Sequence, residues 1–333
     1  MSVGPVLSLR DVSVSVPGRG ARGARALAVD RVSVDIAAGE VLGIVGESGA
    51  GKSLLASAVT GLLPPRAGLS GGEVWIAGAR VDHLPEARLR RLRGRVVGTV
   101  FQDPLGALNP LMTIGAQLAE TIAVHLPLSR SAARQRAAEA LAEVGIPAPA
   151  DRLGCYPHEL SGGMRQRVGI ALALCAAPAL LIADEPTTAL DVSVQAQILA
   201  LLKRLCRDRG MAVMLITHDM GVIAETADRI AVLYAGRLVE TGPVRDVLDT
   251  PCHPYTDGLV AAVPRIDGRP GRLAQIPGAM PPPGARPAGC AFHPRCALAR
   301  DRCRKDPAPE VAAAGGRAAC WFPCRSLPAR TDP

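Results

Sequence analysis

The sequence predicts an α/β fold with an N-terminal antiparallel β subdomain and an inserted α-helical subdomain, and three observations support this. An apolar run typical of a buried strand, Val41 to Val45, leads through a glycine-rich loop into a helix-like segment over residues 53–63. Before it, residues 7–16 and 31–36 alternate apolar and polar side chains, which is typical of antiparallel strands. From residue 103 to about residue 159 the pattern changes to helical periodicity.

The composition limits the classes of function. The chain has 333 residues and is 48% hydrophobic, which is ample for a main domain with an added piece. Aromatic residues make up only 2%, so the core consists mostly of Ala, Leu, Val and Ile. Stacking platforms for single-stranded nucleic acid need aromatic side chains, so we expect no nucleic-acid partner. The net charge of +8 by itself does not choose between nucleic acid and an anionic membrane surface.

The chain shows no signal for secretion or for crossing a membrane. Residues 1–10 lack a basic start followed by an apolar stretch of useful length. The longest apolar run, residues 168–183, is interrupted by Pro178 and is shorter than the roughly 20 residues that a spanning helix needs. We therefore expect a cytosolic protein that meets a membrane only through partners.

The loop after the first buried strand carries the most specific motif, G-x4-G-K-S. Its glycines let backbone N–H groups converge on a phosphate, and the helix that follows directs its positive end to the same place. In this context Lys52 reaches the β and γ phosphates and Ser53 holds Mg2+. A glycine-rich turn that happens to carry a lysine is the alternative, but only three of the 38 basic residues are lysine and one stands here. The motif predicts a P-loop NTPase core of RecA-like type, with nucleotide bound by Gly46, Ser48, Gly49, Gly51, Lys52 and Ser53.

Further elements follow in the order that such a core requires. Residues 72–76 and 96–101 are predicted strands, the second ending at Gln102, and residues 84–93 are a short basic helix. Ser129 or Ser131 is the predicted cap of a helix that runs through Val144. Residues 229–234 and 237–241, joined at Ala235 and Gly236, are predicted to form a hairpin.

A second glycine loop and an acidic strand end complete the candidate site. Ser161, Gly162 and Gly163 open another helix, which is again an anion-binding shape, although an ordinary capped helix is the alternative. Residues 179–183 are an apolar strand that delivers Asp184 and Glu185 at its carboxyl end, where open α/β sheets place their ligands. Asp184 fits a Mg2+ partner, and Glu185 fits the base for an attacking water.

A histidine follows the next predicted strand, residues 212–216. A lone histidine is more often structural than catalytic. At the tip of a strand in a phosphate-binding sheet, His218 is well placed to contact a γ phosphate.

Together these motifs resemble the nucleotide-binding subunit of ABC transporters over about residues 5–255. The resemblance implies a Q-loop at Gln102, a signature at residues 160–164, a D-loop at residues 189–191 and a switch histidine at His218. It implies a head-to-tail dimer in which ATP lies between the phosphate loop of one subunit and Ser161 and Gly163 of the other. It also implies that Gln102 senses the γ phosphate and Mg2+, and that Asp191 of the D-loop belongs to the nucleotide site. The family often places an aromatic residue where Val16 stands, so adenine stacking is expected to be weaker here.

A narrower resemblance is to the ATP-binding subunits of oligopeptide, dipeptide and nickel importers. It rests on residues 101–110, on the stretch His253-Pro-Tyr-Thr256 and on the tail. We expect an ABC nucleotide-binding domain over residues 1–262, with its helical subdomain at about 103–165, and an irregular C-terminal extension over 263–333. Residues 268–287, rich in Pro and Gly, are predicted to be an extended linker rather than a packed element.

Five of the nine cysteines lie in the extension. A cytosolic chain should not use disulfides, so the cluster favours a metal. The spacing C-x5-C-x6-C-x16-C lacks the C-x2-C knuckle of most zinc sites, and spacing alone leaves zinc, iron–sulfur and unligated cysteines open. The family resemblance implies a 4Fe–4S cluster, with Cys324 a rival for the fourth position and His293 a rival ligand for zinc. The expected cluster ligands are Cys290, Cys296, Cys303 and Cys320.

The leading hypothesis is an ATPase that powers import of di- and oligopeptides from the cytoplasmic face of the membrane. The resemblance implies two permease subunits, an external solute-binding protein and a second ATPase subunit, identical or related. The solute could instead be nickel or another small molecule. A soluble ABC-type ATPase acting on nucleic acid or the ribosome is a second hypothesis, but the long coiled-coil insertion or paired ATPase domains typical of that class are not visible. A metal-dependent redox protein, the third, leaves the ATP motifs unexplained.

Overall fold

The computed structural model describes residues 4–18, 24–188, 190–263, 275–313 and 315–323. The chain divides into two compact units. The first comprises Met1–Leu7, Asp35–Val41 and Trp75–Leu215, and the second comprises Ser8–Val34, Leu42–Val74 and Ile216–Pro333. None of the helices within the described residues is both long and apolar enough to cross a bilayer.

The elements follow one another as strands separated by helices, which is the α/β pattern that the sequence predicts. The strands are β1 (Leu7–Pro17), β2 (Arg25–Ile36), β3 (Val41–Val45), β4 (Gly68–Ile76), β5 (Ala79–Arg80), β6 (Val97–Val100), β7 (Leu180–Asp184), β8 (Ala212–Ile216), β9 (Arg229–Tyr234), β10 (Arg237–Pro243), β11 (Glu310–Ala313) and β12 (Gly316–Ala319). The helices are α1 (Lys52–Thr60), α2 (Glu86–Leu92), α3 (Pro104–Ala107), α4 (Ile114–His125), α5 (Arg130–Glu143), α6 (Pro149–Arg152), α7 (Gly162–Leu174), α8 (Val192–Arg209), α9 (Met220–Thr226), α10 (Val244–Asp249), α11 (Pro254–Ala261) and α12 (Asp301–Lys305).

In the first unit the strand order is β8, β7, β6. Strands β6 and β7 are parallel, from the pair Val97 and Leu180 to the pair Val100 and Ala183. Residues 180–183 are all buried, which explains why this strand reads as a continuous apolar run.

Helices α3 to α6 lie between β6 and the helix α7 and form the predicted helical insert. The side chain of Thr113 caps α4 and that of Ser129 caps α5, each accepting a hydrogen bond from a backbone N–H of the first turn. Of the two serines predicted as the cap of α5, the structure therefore uses Ser129.

In the second unit the order is β11, β12, β10, β9, β3. Strand β3 is parallel to β9, whereas β9 and β10 form the predicted antiparallel hairpin. Its two-residue turn has positive φ at both positions, 48° at Ala235 and 80° at Gly236, which matches the twist of paired strands.

A second, antiparallel sheet has the order β2, β1, β4, β5 and forms the predicted β subdomain. Strand β2 begins at Arg25, six residues before the predicted start at Arg31. Arg31 has a left-handed backbone with φ 51°, yet the even-numbered side chains are buried on both sides of it. The even-numbered side chains from 26 to 36 are all buried, but residues 26–29 are all apolar and Asp30 occupies a buried position, so the alternation is not visible in this part of the sequence.

The described part of the predicted linker, residues 275–287, is irregular and mostly exposed, but it is anchored through Arg286. These residues form no helix or strand, but Arg286 donates from Nη1 to Asp30 Oδ2 at 2.6 Å. Asp30 is 8% exposed and also pairs with Arg237. Burial raises the pKa of Asp30, but hydrogen bonds from Arg237 and Arg286 outweigh it and hold that pKa below its ordinary value. A buried carboxylate on β2 thus fixes the segment, which Pro and Gly content alone could not predict.

The remainder of the extension is mostly irregular but contains α12 and a hairpin. Strands β11 and β12 pair antiparallel, and β12 pairs with β10 through Glu240 with Ala318 and Thr241 with Arg317. The extension therefore adds two strands to the sheet of the second unit.

Candidate functional site

The second unit contains the phosphate loop, residues 46–53, between β3 and α1. Gly51 precedes α1 in a left-handed conformation with φ 103° and makes no side-chain cap. No acidic residue lies in the first turn of α1, every residue of which the structure describes. The backbone N–H groups and the positive end of the helix dipole are therefore not neutralised by a carboxylate of that turn.

Two of the loop glycines are required by close backbone approach. A Cβ on Gly46 would lie 2.3 Å from the carbonyl oxygen of Leu233, and a Cβ on Gly51 would lie 3.0 Å from that of Ala28. Both residues also have positive φ, 151° and 103°. Any side chain at Gly46 would displace the loop from the neighbouring strand.

Lys52 folds back over the loop. Its Nζ donates to the carbonyl oxygens of Gly46 at 2.7 Å and Glu47 at 3.1 Å, and the side chain is buried. Ser48, Gly49 and Ser53 are exposed. The ammonium is thus held at the mouth of the loop with its charge directed among backbone carbonyls, where an incoming phosphate can compete for it.

Glu47 is fixed by two residues far along the chain. The Tyr255 hydroxyl accepts a hydrogen bond from the Glu47 backbone nitrogen at 2.8 Å. Arg295 donates to both carboxylate oxygens, Nη1 to Oε2 at 2.6 Å and Nη2 to Oε1 at 2.8 Å. The hydrogen bonds to Glu47 raise the pKa of Arg295 above its ordinary value, so the guanidinium stays charged.

The His253-Pro-Tyr-Thr256 stretch explains how Tyr255 reaches the loop. Nδ1 of His253 accepts from the Tyr255 backbone nitrogen at 3.1 Å and caps α11. Glu240 accepts from the backbone nitrogens of Cys252 and His253, at 2.8 and 2.9 Å. Burial lowers the pKa of His253 to about 3, so its ring is neutral and serves as a cap acceptor.

His218 belongs to the second unit, comes two residues after the last residue of β8 in the chain, and is exposed. The backbone nitrogen of its neighbour Thr217 donates to the Ile44 carbonyl oxygen on β3 at 3.2 Å. On the other side, Asp219 caps α9 by accepting from Gly221 and Val222. His218 is therefore fixed beside the strand that leads into the phosphate loop.

In the first unit, Glu185 at the end of β7 is hydrogen-bonded to Gln102. Asp184 ends β7, and both it and Glu185 are half-buried. Oε2 of Glu185 accepts from Gln102 Nε2 at 3.0 Å and from Thr188 Oγ1 at 2.9 Å. Glu185 has φ 47°, a strained conformation of the kind that concentrates at functional sites.

The Ser-Gly-Gly loop and Asp191 each cap a helix of the first unit. Ser161 Oγ accepts from the Met164 nitrogen at 3.3 Å at the start of α7. Asp191 Oδ1 accepts from the Val194 nitrogen at 2.9 Å and from Ser193 Oγ, and the bond from Ser193 lowers the pKa of Asp191. A Cβ on Gly163 would lie 2.8 Å from a Val194 methyl, so the two caps are on adjacent helix ends.

Four cysteines of the extension surround one small cavity. Cys290, Cys296, Cys303 and Cys320 line it, together with His293 and His253; Cys324 lies outside the described residues. Burial, together with the charges of the other three thiols, raises the pKa of Cys320 to about 11. Among the described residues no three His, Cys, Asp or Glu side chains are grouped closely enough to hold a single metal ion.

The sequence did not indicate a role for Arg295 or for the side chain of Glu47. It contained Tyr255 within a recognised motif but did not indicate that Tyr255 contacts the phosphate loop. The only sequence signals were the His253-Pro-Tyr-Thr256 motif and an arginine directly before Cys296. Val16, expected near adenine, is half-buried at the end of β1.

A glycine loop between a strand and a helix, with a lysine folded over it, defines a P-loop nucleoside triphosphatase. Residues 29–188 match the family model described as ABC transporter, and residues 239–303 match the one described as oligopeptide/dipeptide transporter, C-terminal region. The chain belongs to the ABC transporter ATP-binding family, and it is an ABC-type ATPase with the cassette fold.

Named relatives cover most of the chain. It is 48% identical over 297 residues to the dipeptide transport ATP-binding protein DppD of Escherichia coli, covering 89% of this chain and 91% of that protein. It is 46% identical over 300 residues to the oligopeptide transport ATP-binding protein OppD of Salmonella typhimurium, covering 90% and 89%. A dimeric post-hydrolysis structure of the ATP-binding cassette MJ0796 with ADP and Pi has a TM-score of 0.63 at 31% identity, covering 72% of this chain and 99% of that one.

Proposed function

We propose that this protein is the ATP-hydrolysing subunit that powers uptake of di- and oligopeptides through a membrane importer. The observation that carries the proposal is that relatives named for dipeptide and oligopeptide transport match about nine tenths of the chain, including the C-terminal region. The proposed partners are two permeases, an external solute-binding protein and a second ATPase subunit, with the complex at the cytoplasmic face of the membrane.

The proposed roles in the second unit follow from the phosphate loop. Backbone N–H groups of residues 46–51 bind the phosphates, and Lys52 gives up its carbonyl partners to contact the β and γ phosphates. Ser53, exposed in the first turn of α1, supplies a hydroxyl ligand for Mg2+. His218 donates to the γ phosphate.

The proposed roles in the first unit concern the attacking water and the other nucleotide of a dimer. Glu185 accepts the proton of the water, while Gln102 and Thr188 orient its carboxylate. Asp184 and Gln102 are further Mg2+ partners, and bound Mg2+ neutralises charge on the phosphates. Ser161 and Gly163 contact ATP held by the partner copy, and Asp191 caps α8 at the same surface.

For the extension we propose a 4Fe–4S cluster held by Cys290, Cys296, Cys303 and Cys320. All four line one cavity. Burial raises the pKa of Cys290, Cys296 and Cys320, so these three thiols require a cation to stay deprotonated. Zinc held by thiolates is the alternative.

The domain division that we propose is 1–262 for the nucleotide-binding domain, with its helical subdomain at about 103–165, and 263–333 for the extension. The structure adds that β12 pairs with β10, so the extension and the domain share a sheet.

Uptake in cells tests the transport assignment. Cells that lack this chain should lose accumulation of labelled di- and oligopeptides and recover it with the intact chain but not with Lys52→Ala. If cells that lack this chain take up peptides normally but lose nickel uptake, the transported solute is nickel and not a peptide. Copurification with RNA or DNA instead of permeases would overturn the assignment.

A further inference from the structure

The phosphate loop contains an acidic residue, Glu47, between Gly46 and Ser48. A carboxylate in a loop that binds a polyanion opposes binding, because like charges repel and the repulsion is stronger where water is partly excluded. The Glu47 side chain is 30% exposed, so solvent screens its charge only in part. Arg295 offsets this charge: its side chain is 5% exposed, and it contacts both carboxylate oxygens of Glu47.

Arg295 is itself held in place. Its Nε donates to the Pro277 carbonyl oxygen at 2.7 Å, and its guanidinium lies 5.7 Å from the Tyr234 ring centroid and 5.9 Å from that of Phe292. Phe292 also packs against the ring of Tyr255, with centroids 5.3 Å apart. The guanidinium is therefore fixed before any nucleotide arrives, and it can position the group that it binds.

The backbone N–H, the backbone carbonyl and the carboxylate of Glu47 all form hydrogen bonds. Arg295 holds the carboxylate, Tyr255 accepts from the N–H, and the carbonyl accepts from Lys52 Nζ and from the Ala50 nitrogen at 3.1 Å. A residue fixed in this way sets the backbone direction of the residues that follow it in the loop. Pre-set donors bind a phosphate without the cost of ordering them at the moment of binding.

We propose that Arg295 of the cysteine-bearing extension is a positioning residue for ATP, which neutralises Glu47 and fixes the phosphate loop around it. The proposal rests on the function proposed above, because it assumes that residues 46–53 bind the triphosphate. In this proposal the extension helps to hold the ATP-binding loop in its binding conformation.

A double-mutant cycle on the full-length chain tests this, with the dissociation constant of MgATP and the KM and kcat of ATP hydrolysis as readouts. Arg295→Gln leaves Glu47 charged and unpaired, and the loss of a two-point charged contact predicts a rise of about 10- to 100-fold in Kd and KM. We expect kcat at saturating ATP to change less than about threefold, because Arg295 does not touch the reacting atoms. Glu47→Gln combined with Arg295→Gln removes both charges, so its Kd should lie closer to that of the intact chain than the Kd of Arg295→Gln does. Arg295→Lys keeps the positive charge but cannot contact both carboxylate oxygens in the same two-point geometry, so its Kd should lie between those of the intact chain and Arg295→Gln.

Arg286→Gln is the matched control. Arg286 is also an arginine of the extension in an ion pair with a buried carboxylate, but its hydrogen bonds go to Asp30 and the Leu27 carbonyl oxygen rather than to Glu47. We expect its Kd for MgATP to stay within about twofold of the intact chain, because only the anchoring of the extension is weakened.

Three results would overturn the inference. They are unchanged ATP affinity in Arg295→Gln, an equal loss in Arg286→Gln, or no recovery in the double variant. If Arg295→Gln does not fold, the double variant and Arg295→Lys still test the inference. The inference requires both of these variants to bind MgATP, and it requires the Kd of the double variant to be close to that of the intact chain. Failure of the intact chain to bind MgATP would instead refute the proposed function.

Discussion

The phenolic oxygen of Tyr255 lies 2.8 Å from the backbone nitrogen of Glu47, across 208 positions of sequence. Helix α11, on which Tyr255 lies, thereby holds the first residues of the phosphate loop. Tyr255 is fully buried, and burial raises the pKa of its hydroxyl well above its ordinary value, so the group is neutral at any physiological pH.

Tyr255→Phe should weaken ATP binding without abolishing it. The change removes the acceptor of the Glu47 N–H, and the free energy of unfolding should fall by about 1–2 kcal/mol because a buried donor loses its partner. We expect a rise of about 3- to 10-fold in KM for ATP from the less ordered loop. The matched control is Thr256→Val, since Thr256 is buried and its hydroxyl has no hydrogen-bond partner among the described residues. Equal effects of the two variants on KM would count against the loop contact.

Glu185→Gln should leave ATP bound and dimers trapped. Glutamine still accepts the hydrogen bonds of Gln102 and Thr188 through its oxygen but cannot take a proton from water, which predicts a loss of about 10²- to 10⁴-fold in kcat. ATP turnover and gel filtration with MgATP measure both effects. Glu159→Gln is the control, because the Glu159 carboxylate accepts from the Tyr156 nitrogen and an amide oxygen can do the same. Unchanged turnover in Glu185→Gln would reject the role assigned to Glu185.

Protonation of His253 should link stability to pH. The folded-state pKa is lowered to about 3, below the ordinary 6.5, so the unfolded chain takes up a proton first as pH falls. The contribution of His253 is therefore fully present above pH 6.5 and decreases below it, by up to about 1.4 kcal/mol per pH unit. His253→Asn keeps a side-chain cap for α11 but does not titrate. Relative to this variant, the intact chain should lose unfolding free energy between pH 6.5 and pH 5 in urea titrations; a constant difference would contradict the account.

The extension should contain iron and sulfide after anaerobic purification. We expect about four irons per chain and a brown colour, both lost in Cys303→Ser because one thiolate ligand is removed. Cys155→Ser, which changes a half-buried cysteine of the first unit, should keep the iron. Colourless protein that contains zinc would refute the cluster.

The sequence predicted those parts of the fold and site that depend on neighbouring residues. Val41–Val45, the glycine loop and the start of α1 follow from an apolar run, glycines and a lysine that are adjacent in the chain. The cap at Ser161 and the hairpin at Ala235 and Gly236 are likewise local. Such features are set by backbone conformation and hydrogen bonds within a few residues.

Features that join distant residues were not predictable from one sequence. The anchoring of Arg286 depends on the buried carboxylate of Asp30, and nothing beside Arg286 in the sequence indicates that partner. The same holds for Arg295 and Glu47, 248 positions apart. The start of β2 was predicted too late because residues 26–29 are all apolar and the buried position 30 holds an aspartate, which hides the alternation in the sequence.

The most direct test of the account is MgATP binding by the purified chain and by Lys52→Ala, measured under the same conditions. Lys52 is the buried cation over the loop, so we expect the intact chain to retain MgATP and the variant to lose at least about 100-fold in affinity. Equal retention by both proteins, or none by the intact chain, would contradict the claim that this loop binds the nucleotide.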